Sequence, residues 1–367
     1  MIFIGLNTGT SVDAVDCIAC EISDNNHQFI DGLSIDMPVD VRSMVIQAVE
    51  SQRLEVDQVE QIRFYLTNVY IQAAKALIQK LGLKPHQVHA LGLHGQTIHH
   101  KPNAPYPYTM QLGDASRLAD ALGISVVDRF RDADIACGGQ GAPLIPCYHQ
   151  YLLRMAEVTS SVFINLGGIA NTTVINNGKV KGWDIGPANA LMDLWCEKIR
   201  NQPFDDRGQW ARSGEVVQPL LQKWMSDAYF DLAHPKSTGR DYFSWEWLNR
   251  NDILSHRPED IQATLCELTA LSIQRDLHLH ADSEARHGIY VYGKGIENTF
   301  LMERLQQLMP AYPLKSCMDL GIEAQWLESG LFAWLAYCHT KKLAIDLTQV
   351  TGSKKPAILG SCSHAAI

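Results

Sequence analysis

The segment GLNTGTSVDAVD, residues 5–16, constrains this chain more than any other. It follows an apolar start, residues 1–4, and precedes a second apolar run, residues 17–22. Two buried strands joined by a turn of small residues form a β-hairpin. The turn carries three hydroxyl side chains and little bulk, so its N–H groups can bind phosphate oxygens. An ordinary hydroxyl-rich hairpin accounts for the segment equally well.

Two carboxylates in the same segment suit a hard cation. Asp13 or Asp16 could hold Mg²⁺ through water, since this ion prefers oxygen ligands. The segment is not a Walker loop, because no Gly-Lys-Ser/Thr follows it.

Two later segments repeat the arrangement of a strand followed by a glycine turn. Residues 161–165 predict a strand that enters LGGIAN, residues 166–171. Residues 289–292 predict another strand, which enters GKGIEN, residues 293–298, before a helix over 299–308. Three such turns with helices between them predict a duplicated α/β architecture with a ligand in a cleft.

Hydrophobic periodicity predicts helices over 56–81 and 115–122 and a helix that begins at Pro258. Strands are predicted over 88–93 and 124–127, and His94 directly follows the first of them. The glycine-rich segment 137–143 predicts a functional loop.

Composition excludes some classes of function. The 367 residues suit two domains, and a formal charge of −9 without any Lys/Arg run argues against a nucleic-acid surface. No apolar stretch is long enough to cross a membrane, and no secretory signal is recognisable. The nine scattered cysteines predict reduced thiols in a cytoplasm, with Cys17 and Cys20 in a core rather than at a metal.

An ordered set of motifs across nearly the whole chain resembles the anhydro-N-acetylmuramic acid kinase family, of the actin–sugar kinase–Hsp70 superfamily. The motifs are GTSVDAVD (9–16), HGQTIHH (94–100), QLGD (111–114), GGQGAPLIP (138–146), NLGGIAN (165–171), GWDIGPANALMD (182–193), PKSTGRDYF (235–243), ATLCELTA (263–270), GKGIEN (293–298), FAWLA (332–336) and VTG (350–352).

The resemblance implies a duplicated actin-like ATPase (ribonuclease H-like) α/β fold, with ATP and Mg²⁺ in an interdomain cleft. We predict a first domain of residues 1–135, to which 340–367 return, and a second of 136–339. The implied reaction opens the 1,6-anhydro bond of anhydro-N-acetylmuramic acid by hydrolysis and phosphorylates O6 with ATP. The product, N-acetylmuramic acid 6-phosphate, belongs to peptidoglycan recycling. The resemblance also implies a homodimer.

Site residues follow from the same motifs. The catalytic base is predicted to be Asp184, and Asp13 the residue that holds Mg²⁺ through water. Predicted nucleotide-binding residues are Gly9, Thr10, Ser11, Val12, Asp13, Ala14, Val15, Asp16, Gly167, Gly168, Gly293, Lys294, Gly295 and Asn298. Predicted substrate-binding residues are His94, Gln96, Arg131, Gln140, Asn189 and Glu328.

A carboxylate with access to water is the usual base for an inverting sugar cleavage, and Asp184 is placed where a strand ends. The structural alternative is an aspartate that caps the helix from Asn189. Arg131 suits a carboxylate or phosphate clamp, or a surface ion pair with Asp132 or Asp134.

His94 and Gln96 have donors and acceptors suited to binding a sugar or its lactyl carboxylate. The structural alternative is a polar strand end bonded to the next loop. Glu328 suits a hydrogen bond to the sugar, or a favourable charge at a helix N-terminus. We assign structural or surface positions to His99 and His100, which alternate along a strand.

The chain departs from the family pattern beside several of these positions. Asn7 and Thr8 replace Met-Ser, and Ala14 replaces a glycine, which would add strain if a positive φ were needed there. Arg129 stands before Phe130 in place of an aspartate. Further changes, at Ile185, Ala188 and Lys294, also lie near the predicted ligands.

These departures keep two alternatives to the kinase open. One is a catalytically weak relative that senses cell-wall sugar or nucleotide, and the other is a kinase of another small sugar.

Overall fold

Two units make up the chain, each with its own sheet and its own buried core. The computed structural model describes residues 1–9, 11–51, 53–234, 236–281 and 288–365. Unit 1 comprises Met1–Met155 and Gly321–Ile367, and unit 2 comprises Ala156–Leu320. The division therefore lies at 155/156 and 320/321, whereas the sequence predicted 135/136 and 339/340.

Thirteen strands are present in the described part of the chain. They are β1 (Ile2–Thr8), β2 (Ala14–Ser23), β3 (Asn26–Asp36), β4 (Val88–Leu93), β5 (Gln96–Lys101), β6 (Tyr108–Leu112), β7 (Val126–Asp128), β8 (Ser160–Leu166), β9 (Ile169–Asn176), β10 (Lys179–Pro187), β11 (Ile289–Tyr292), β12 (Leu314–Ser316) and β13 (Ser361–Ser363).

The α-helices of the described residues number twelve. They are α1 (Val39–Glu50), α2 (Val56–Lys80), α3 (Ala115–Leu122), α4 (Phe130–Ala136), α5 (Ile145–Met155), α6 (Asn189–Arg200), α7 (Gln209–Arg212), α8 (Gln218–Met225), α9 (Trp245–Asn249), α10 (Pro258–His280), α11 (Thr299–Leu308) and α12 (Leu327–Thr340).

The main sheets of the two units share a five-strand order, and β5 and β6 form a separate two-stranded sheet. In unit 1 the strand order is β13-β7-β4-β1-β2-β3, and in unit 2 it is β10-β9-β8-β11-β12. In each unit the first three strands form an antiparallel meander. Strands β4 and β11 pair in parallel with the first strand of their unit, and β7 and β12 pair in parallel with β4 and β11. Strand β13 is antiparallel to β7. The duplicated α/β fold predicted from the three glycine turns is confirmed.

The boundary differs from the predicted one because two helices belong to unit 1. Helix α12 lies against β1, β4 and β2, and α5 contacts both α12 and β3. Residues 136–155 and 321–339 therefore bury their apolar side chains in the unit that begins the chain.

Local chemistry explains where the predicted elements begin and end. Helix α3 begins at Asp114, whose carboxylate accepts a hydrogen bond from the N–H of Arg117 at 3.0 Å. It ends at Gly123, which takes a left-handed conformation with φ of 65°. Helix α2 begins with a capping box formed by Glu55 and Gln58. Within the described part of the chain, no helix combines the length and apolar character that a membrane span requires.

Candidate active site

The β1–β2 turn of unit 1 is a tight hairpin. The N–H of Val12 donates to the carbonyl of Gly9 at 3.1 Å, and Val12 has a positive φ of 56°. A β-branched residue is rare in this conformation. Ala14 begins β2 and is not among the positive-φ residues, so the condition for strain there is not met; the positive φ lies at Val12. Thr10 lies outside the described residues.

The turn has open space for a ligand. A Cβ added to Gly9 would meet no atom within 4 Å. Ser11 and Asp13 are exposed, while Val12 and Val15 are buried in the core of unit 1. Phosphate binding by this turn remains a prediction.

The predicted magnesium residue has a neighbouring cation. Asp13 pairs with Arg42 at 3.2 Å, and both side chains are about half exposed, so the pair contributes little stability. Asp16 accepts a hydrogen bond from the hydroxyl of Ser34. Among the described residues, no group of three or more His, Cys, Asp or Glu side chains is arranged to hold a metal. A carboxylate that binds through water needs no such group.

Four of the predicted substrate-binding residues lie in one polar cluster of unit 1. The amide of Asn7 donates to Glu328 at 2.9 Å, and Arg131 donates from Nε to His94 Nε2 at 3.1 Å. Nη1 of Arg131 donates to the carbonyl of Gly141 at 2.8 Å. The remaining member, Gln96, is buried at the start of β5.

Helix α12 reaches this cluster because its backbone rests directly on the sheet. A Cβ added to Gly5 would lie 1.9 Å from the carbonyl oxygen of Ser329, and one added to Gly92 would lie 2.0 Å from that of Phe332. Glu328 and Phe332, four residues apart, share one helix face. The ring of Phe332 stacks on His94 with centroids 4.5 Å apart.

The cluster holds its imidazole neutral. Burial, followed by the charge of Arg131, lowers the pKa of His94 well below its usual value. Since guanidinium can only donate, His94 Nε2 must accept, and we assign the ring proton to Nδ1. Nδ1 of His94 and Oε1 of Gln96 are buried and have no hydrogen-bond partner among the residues that the structure describes. Buried polar atoms of this kind require a partner.

The carboxylate of the cluster is also perturbed. Desolvation raises the pKa of Glu328, although the bond from Asn7 and the charge of Arg131 lower it. Glu328 as a whole is exposed to solvent, so its raised pKa has little effect on the stability of the fold. The surface ion pair considered for Arg131 is not formed, because Asp132 pairs with Arg129 instead.

Asp134 organises the glycine-rich loop that follows α4. One oxygen accepts the N–H of Gly141 at 2.7 Å, and the other accepts the hydroxyl of Thr351 at 2.8 Å. The N–H of Gln140 donates to the carbonyl of Thr351 at 3.0 Å, and the Gln140 residue is exposed.

In unit 2, Asp184 lies on β10 at a bulge. The pairing of β10 with β9 changes register between Asp184 and Gly186. Oδ2 of Asp184 accepts both the hydroxyl of Ser237 at 2.9 Å and the N–H of Thr238 at 3.0 Å. Oδ1 has no hydrogen-bond partner in the described part of the chain.

The alternative role for Asp184 is excluded. Helix α6 begins after Ala188 without any side-chain cap. Desolvation raises the pKa of Asp184, and the donors from Thr238 and Ser237 oppose this shift. A half-buried carboxylate with one bonded oxygen can take a proton through the other oxygen.

The second and third glycine turns meet at the end of β8. The carbonyls of Gly167 and Gly168 accept hydrogen bonds from N–H groups at the start of α6. The N–H groups of the two glycines take no part in these bonds. Gly293 has φ of 87°, and its added Cβ would lie 2.3 Å from Asn165. A Cβ on Gly295 would lie 2.8 Å from the carbonyl oxygen of Leu166.

Asn189 and Asn298 already have structural partners beside these turns. The amide of Asn189 donates to the carbonyl of Leu166 at 3.0 Å. Asn298 caps α11 by accepting the N–H of Leu301 at 3.0 Å. Lys294 is exposed, and its charge acts on Asp193. Their ligand contacts remain predictions.

Sequence reasoning missed Arg240. Its guanidinium lies across Gly168: an added Cβ there would be 3.0 Å from both Nε and Nη2. The Arg240 side chain is exposed and makes no hydrogen bond or ion pair to a described residue, although its charge acts on Asp193. The sequence did contain a signal for Arg240: the motif PKSTGRDYF includes this arginine together with the two donors to Asp184.

Comparisons with known proteins agree with the motifs. The family model described as anhydro-N-acetylmuramic acid kinase matches residues 1–365. A protein of that name from Legionella pneumophila (strain Corby) is 39% identical over 361 residues, 98% of this chain and 97% of that protein. Another, from Pasteurella multocida (strain Pm70), is 39% identical over 365 residues, 98% and 96% of the two proteins.

A structural similarity was also found. The activator of the 2-hydroxyisocaproyl-CoA dehydratase from Clostridium difficile, with bound ADPNP, aligns over 93% of this chain and 96% of that chain. Its sequence identity is 11% and its TM-score 0.47. The full-length family match and the two close relatives decide the assignment: this chain belongs to the anhydro-N-acetylmuramic acid kinase family.

Proposed function

We propose that this protein is an ATP-dependent kinase that opens 1,6-anhydro-N-acetylmuramic acid with water and phosphorylates O6. The product is N-acetylmuramic acid 6-phosphate, for peptidoglycan recycling. Family membership over residues 1–365 supports the activity. The observation that carries the chemistry is the geometry of Asp184, whose Oδ2 is held by two donors and whose Oδ1 has no partner among the described residues.

Asp184 acts as the general base. Its Oδ1 takes a proton from water as the water oxygen bonds to the anomeric carbon. The bond from that carbon to O6 breaks, and O6 receives the γ-phosphoryl group of ATP, releasing ADP. Because the phosphoryl group captures O6, no separate carboxylic acid is needed to protonate it. Oxygen from water thus ends as the anomeric hydroxyl.

The polar cluster of unit 1 binds the sugar in this proposal. His94 Nδ1–H and Gln96 Oε1 supply a donor and an acceptor that have no partner in the described part of the chain. Arg131 supplies positive charge, and Glu328 accepts from a sugar hydroxyl. Gln140 and Asn189 complete the substrate-binding set.

The nucleotide is bound by the glycine turns. Residues 9–16 of unit 1 and Gly167, Gly168, Gly293, Lys294, Gly295 and Asn298 of unit 2 make up this set. Arg240 joins it as a donor to phosphate oxygens, since it lies on Gly168 and makes no hydrogen bond to any described residue.

Mg²⁺ fits this chain as a hydrated ion. Asp13 is exposed and carries a carboxylate that can hold the ion through water, with Asp16 as the second candidate. When bound, the ion neutralises charge on the transferred phosphoryl group. The residues of the turn align the nucleotide themselves.

We also propose that the protein works in the cytoplasm, where ATP is available, and that it forms a homodimer like its family. All nine cysteines are free, which suits a reducing compartment. Light scattering coupled to size-exclusion chromatography tests the dimer.

Substrate comparison tests the proposed activity. The purified protein with Mg-ATP should release ADP and a 6-phosphorylated sugar from anhydro-N-acetylmuramic acid, and much less from N-acetylglucosamine or N-acetylmuramic acid. Phosphorylation of a plain N-acetyl sugar alone would indicate a kinase of another sugar. Binding of ATP and sugar without any turnover would indicate a sensor.

A further inference from the structure

A buried ion pair lies beside the candidate base in unit 2. Nζ of Lys236 is 3.6 Å from Oδ1 of Asp276, and the two side chains are 3% and 5% exposed. A pair buried to this degree is a weak source of stability, because desolvation of the two charges offsets their attraction. Its connections to the rest of the unit point to another role.

One partner of the pair is bonded to Asp184 itself and the other to the residue before it. Oδ2 of Asp276 accepts the indole N–H of Trp183 at 2.7 Å, and Trp183 directly precedes Asp184. The carbonyl of Lys236 accepts the N–H of Asp184 at 3.0 Å. The pair therefore joins β10 on the N-terminal side of Asp184 to the segment that begins at Lys236.

That same segment holds the carboxylate. Ser237 and Thr238, directly after Lys236, are the two donors to Oδ2 of Asp184. Tyr229 adds a further link, since its hydroxyl donates to the carbonyl of Asp184 at 2.8 Å and its ring lies 4.9 Å from Nζ of Lys236.

We propose that Lys236 and Asp276 are positioning residues that fix the Ser237–Thr238 donors on Oδ2 of Asp184 and so aim Oδ1 at the attacking water. The proposal rests on the proposed function for the base role of Asp184. Neither residue touches the reacting atoms; both act through Asp184. Without the pair, Ser237 and Thr238 are no longer held in place. The carboxylate of Asp184 then loses its alignment, and the hydrogen bonds that favour its ionised form become weaker.

Removal of both charges separates positioning from stability. Lys236→Met or Asp276→Asn alone leaves one buried charge without its partner, which lowers Tm as well as kcat. The double variant Lys236→Met/Asp276→Asn has no buried charge and keeps an acceptor for Trp183, so its Tm should return toward wild type. Its kcat should stay reduced about tenfold or more, with KM for ATP and sugar little changed.

The pH profile gives a readout that a structural role does not move. With its donors loosened, Asp184 protonates more readily, so the acid limb of kcat moves to higher pH in the double variant. Among the described residues, the other titratable groups around the pair are Tyr229, His234 and His280; the rings of the two histidines lie 3.8 Å apart. None of them is changed in this variant.

A second ion pair of unit 2 provides the matched control. Arg304 and Glu267 are 2.8 Å apart and also largely buried, with side chains 28% and 9% exposed. Arg304→Met/Glu267→Gln should change Tm without moving the acid limb of kcat.

Direct titration of Asp184 keeps the test independent of turnover. In carbon-13 NMR, with the resonance assigned by its loss in Asp184→Asn, the Asp184 pKa should rise by at least about half a unit in the double variant. If that double variant fails to fold, Lys236→Leu/Asp276→Asn, which also leaves no buried charge, gives the same comparison. An unchanged pKa, or a double variant with wild-type kcat, overturns the positioning role. An inactive wild-type protein would instead overturn the proposed function, and the titration would still decide the positioning.

Discussion

At the scale of single residues, the two oxygens of Asp184 have different environments. Oδ2 accepts two hydrogen bonds, from Ser237 and Thr238, while Oδ1 accepts none from the described residues. The donors fix the plane of the carboxylate, and desolvation raises its pKa toward the range where a carboxylate is a useful base. One side chain thus combines orientation with increased basicity.

Asp184→Asn should lower kcat by about 10²- to 10⁴-fold, because the amide cannot take a proton from water. Tm should change little, since the amide oxygen can still accept from Ser237 and Thr238. Steady-state kinetics and thermal unfolding measure the two effects. Asp231→Asn, at an exposed aspartate of the same unit, is the control and should retain wild-type kcat. Substantial turnover in Asp184→Asn would remove its role as base.

Ser237→Ala should move the acid limb of the kcat–pH profile to higher pH. The Ser237 hydroxyl lowers the pKa of Asp184, so its loss raises that pKa further above the usual value. Asp184 works only when deprotonated, so activity is lost at a higher pH as the solution is acidified. Ser226→Ala removes a hydroxyl bonded to the backbone of α8 and should leave the profile in place. A shift to lower pH would contradict the assignment.

Arg240→Ala should raise KM for ATP, or Kd for a non-hydrolysable analogue, by about 10- to 100-fold. Hydrogen bonds to a charged group contribute about 1.5–3 kcal/mol, which corresponds to that range. Isothermal titration calorimetry with the analogue measures the change, and Arg250→Ala at another exposed arginine is the control. Unchanged nucleotide affinity would show that Arg240 only covers Gly168.

At the scale of elements, the polar cluster of unit 1 depends on how α12 meets β1 and β4. The helix backbone lies so close to the sheet that only glycine fits at Gly5 and Gly92. This contact places Glu328 beside Asn7 and Phe332 against His94. The shape of the cluster is therefore fixed by backbone packing as much as by its polar bonds.

Gly92→Ala should lower the free energy of unfolding by about 1–3 kcal/mol, the usual cost of overpacking a core. It should also weaken sugar binding, because the displaced helix carries Glu328. Urea denaturation and calorimetry with the anhydro sugar measure the two effects. Gly9→Ala adds its Cβ in open space and should not change stability. A Gly92→Ala protein as stable as wild type would contradict the packing account.

Sequence patterns predicted most elements, but not which distant segments meet. Helix 299–308 and strands 88–93 and 289–292 match the structure, because periodicity and flanking turns are local signals. The two donors to Asp184, Ser237 and Thr238, lie 53 and 54 positions later in the chain. No local sequence signal predicts that these residues meet Asp184. Strain at Ala14 was predicted only if a positive φ were needed there; the positive φ lies at Val12 instead, since the family pattern marks a glycine but not the backbone conformation.

At the scale of the molecule, the two units repeat one sheet topology but differ in chain continuity. Unit 2 is a single segment, whereas unit 1 needs both ends of the chain. Strand β13 pairs with β7, and α12 covers β1 and β4. The sequence predicted that the C-terminus returns, yet it placed the return too late, because α12 is apolar enough to suit either core.

Residues 156–320 expressed alone should unfold cooperatively, because this segment contains a complete sheet and core. Residues 1–155 alone should not, since they lack the helix that covers β1 and β4. Urea denaturation followed by circular dichroism compares the two fragments. Adding 321–367 to the first fragment through a flexible linker is the control and should restore cooperativity. Cooperative folding of 1–155 alone would contradict this division.

The coupled reaction itself is the central claim, and labelled water tests it most directly. The protein and its Asp184→Asn variant are incubated with Mg-ATP and anhydro-N-acetylmuramic acid in ¹⁸O-water and quenched early, because free sugars slowly exchange the anomeric oxygen. Mass spectrometry should find a 6-phosphorylated sugar with one ¹⁸O at the anomeric hydroxyl for the wild type, and almost none for the variant. Unlabelled product, or equal product from the variant, would contradict water attack assisted by Asp184.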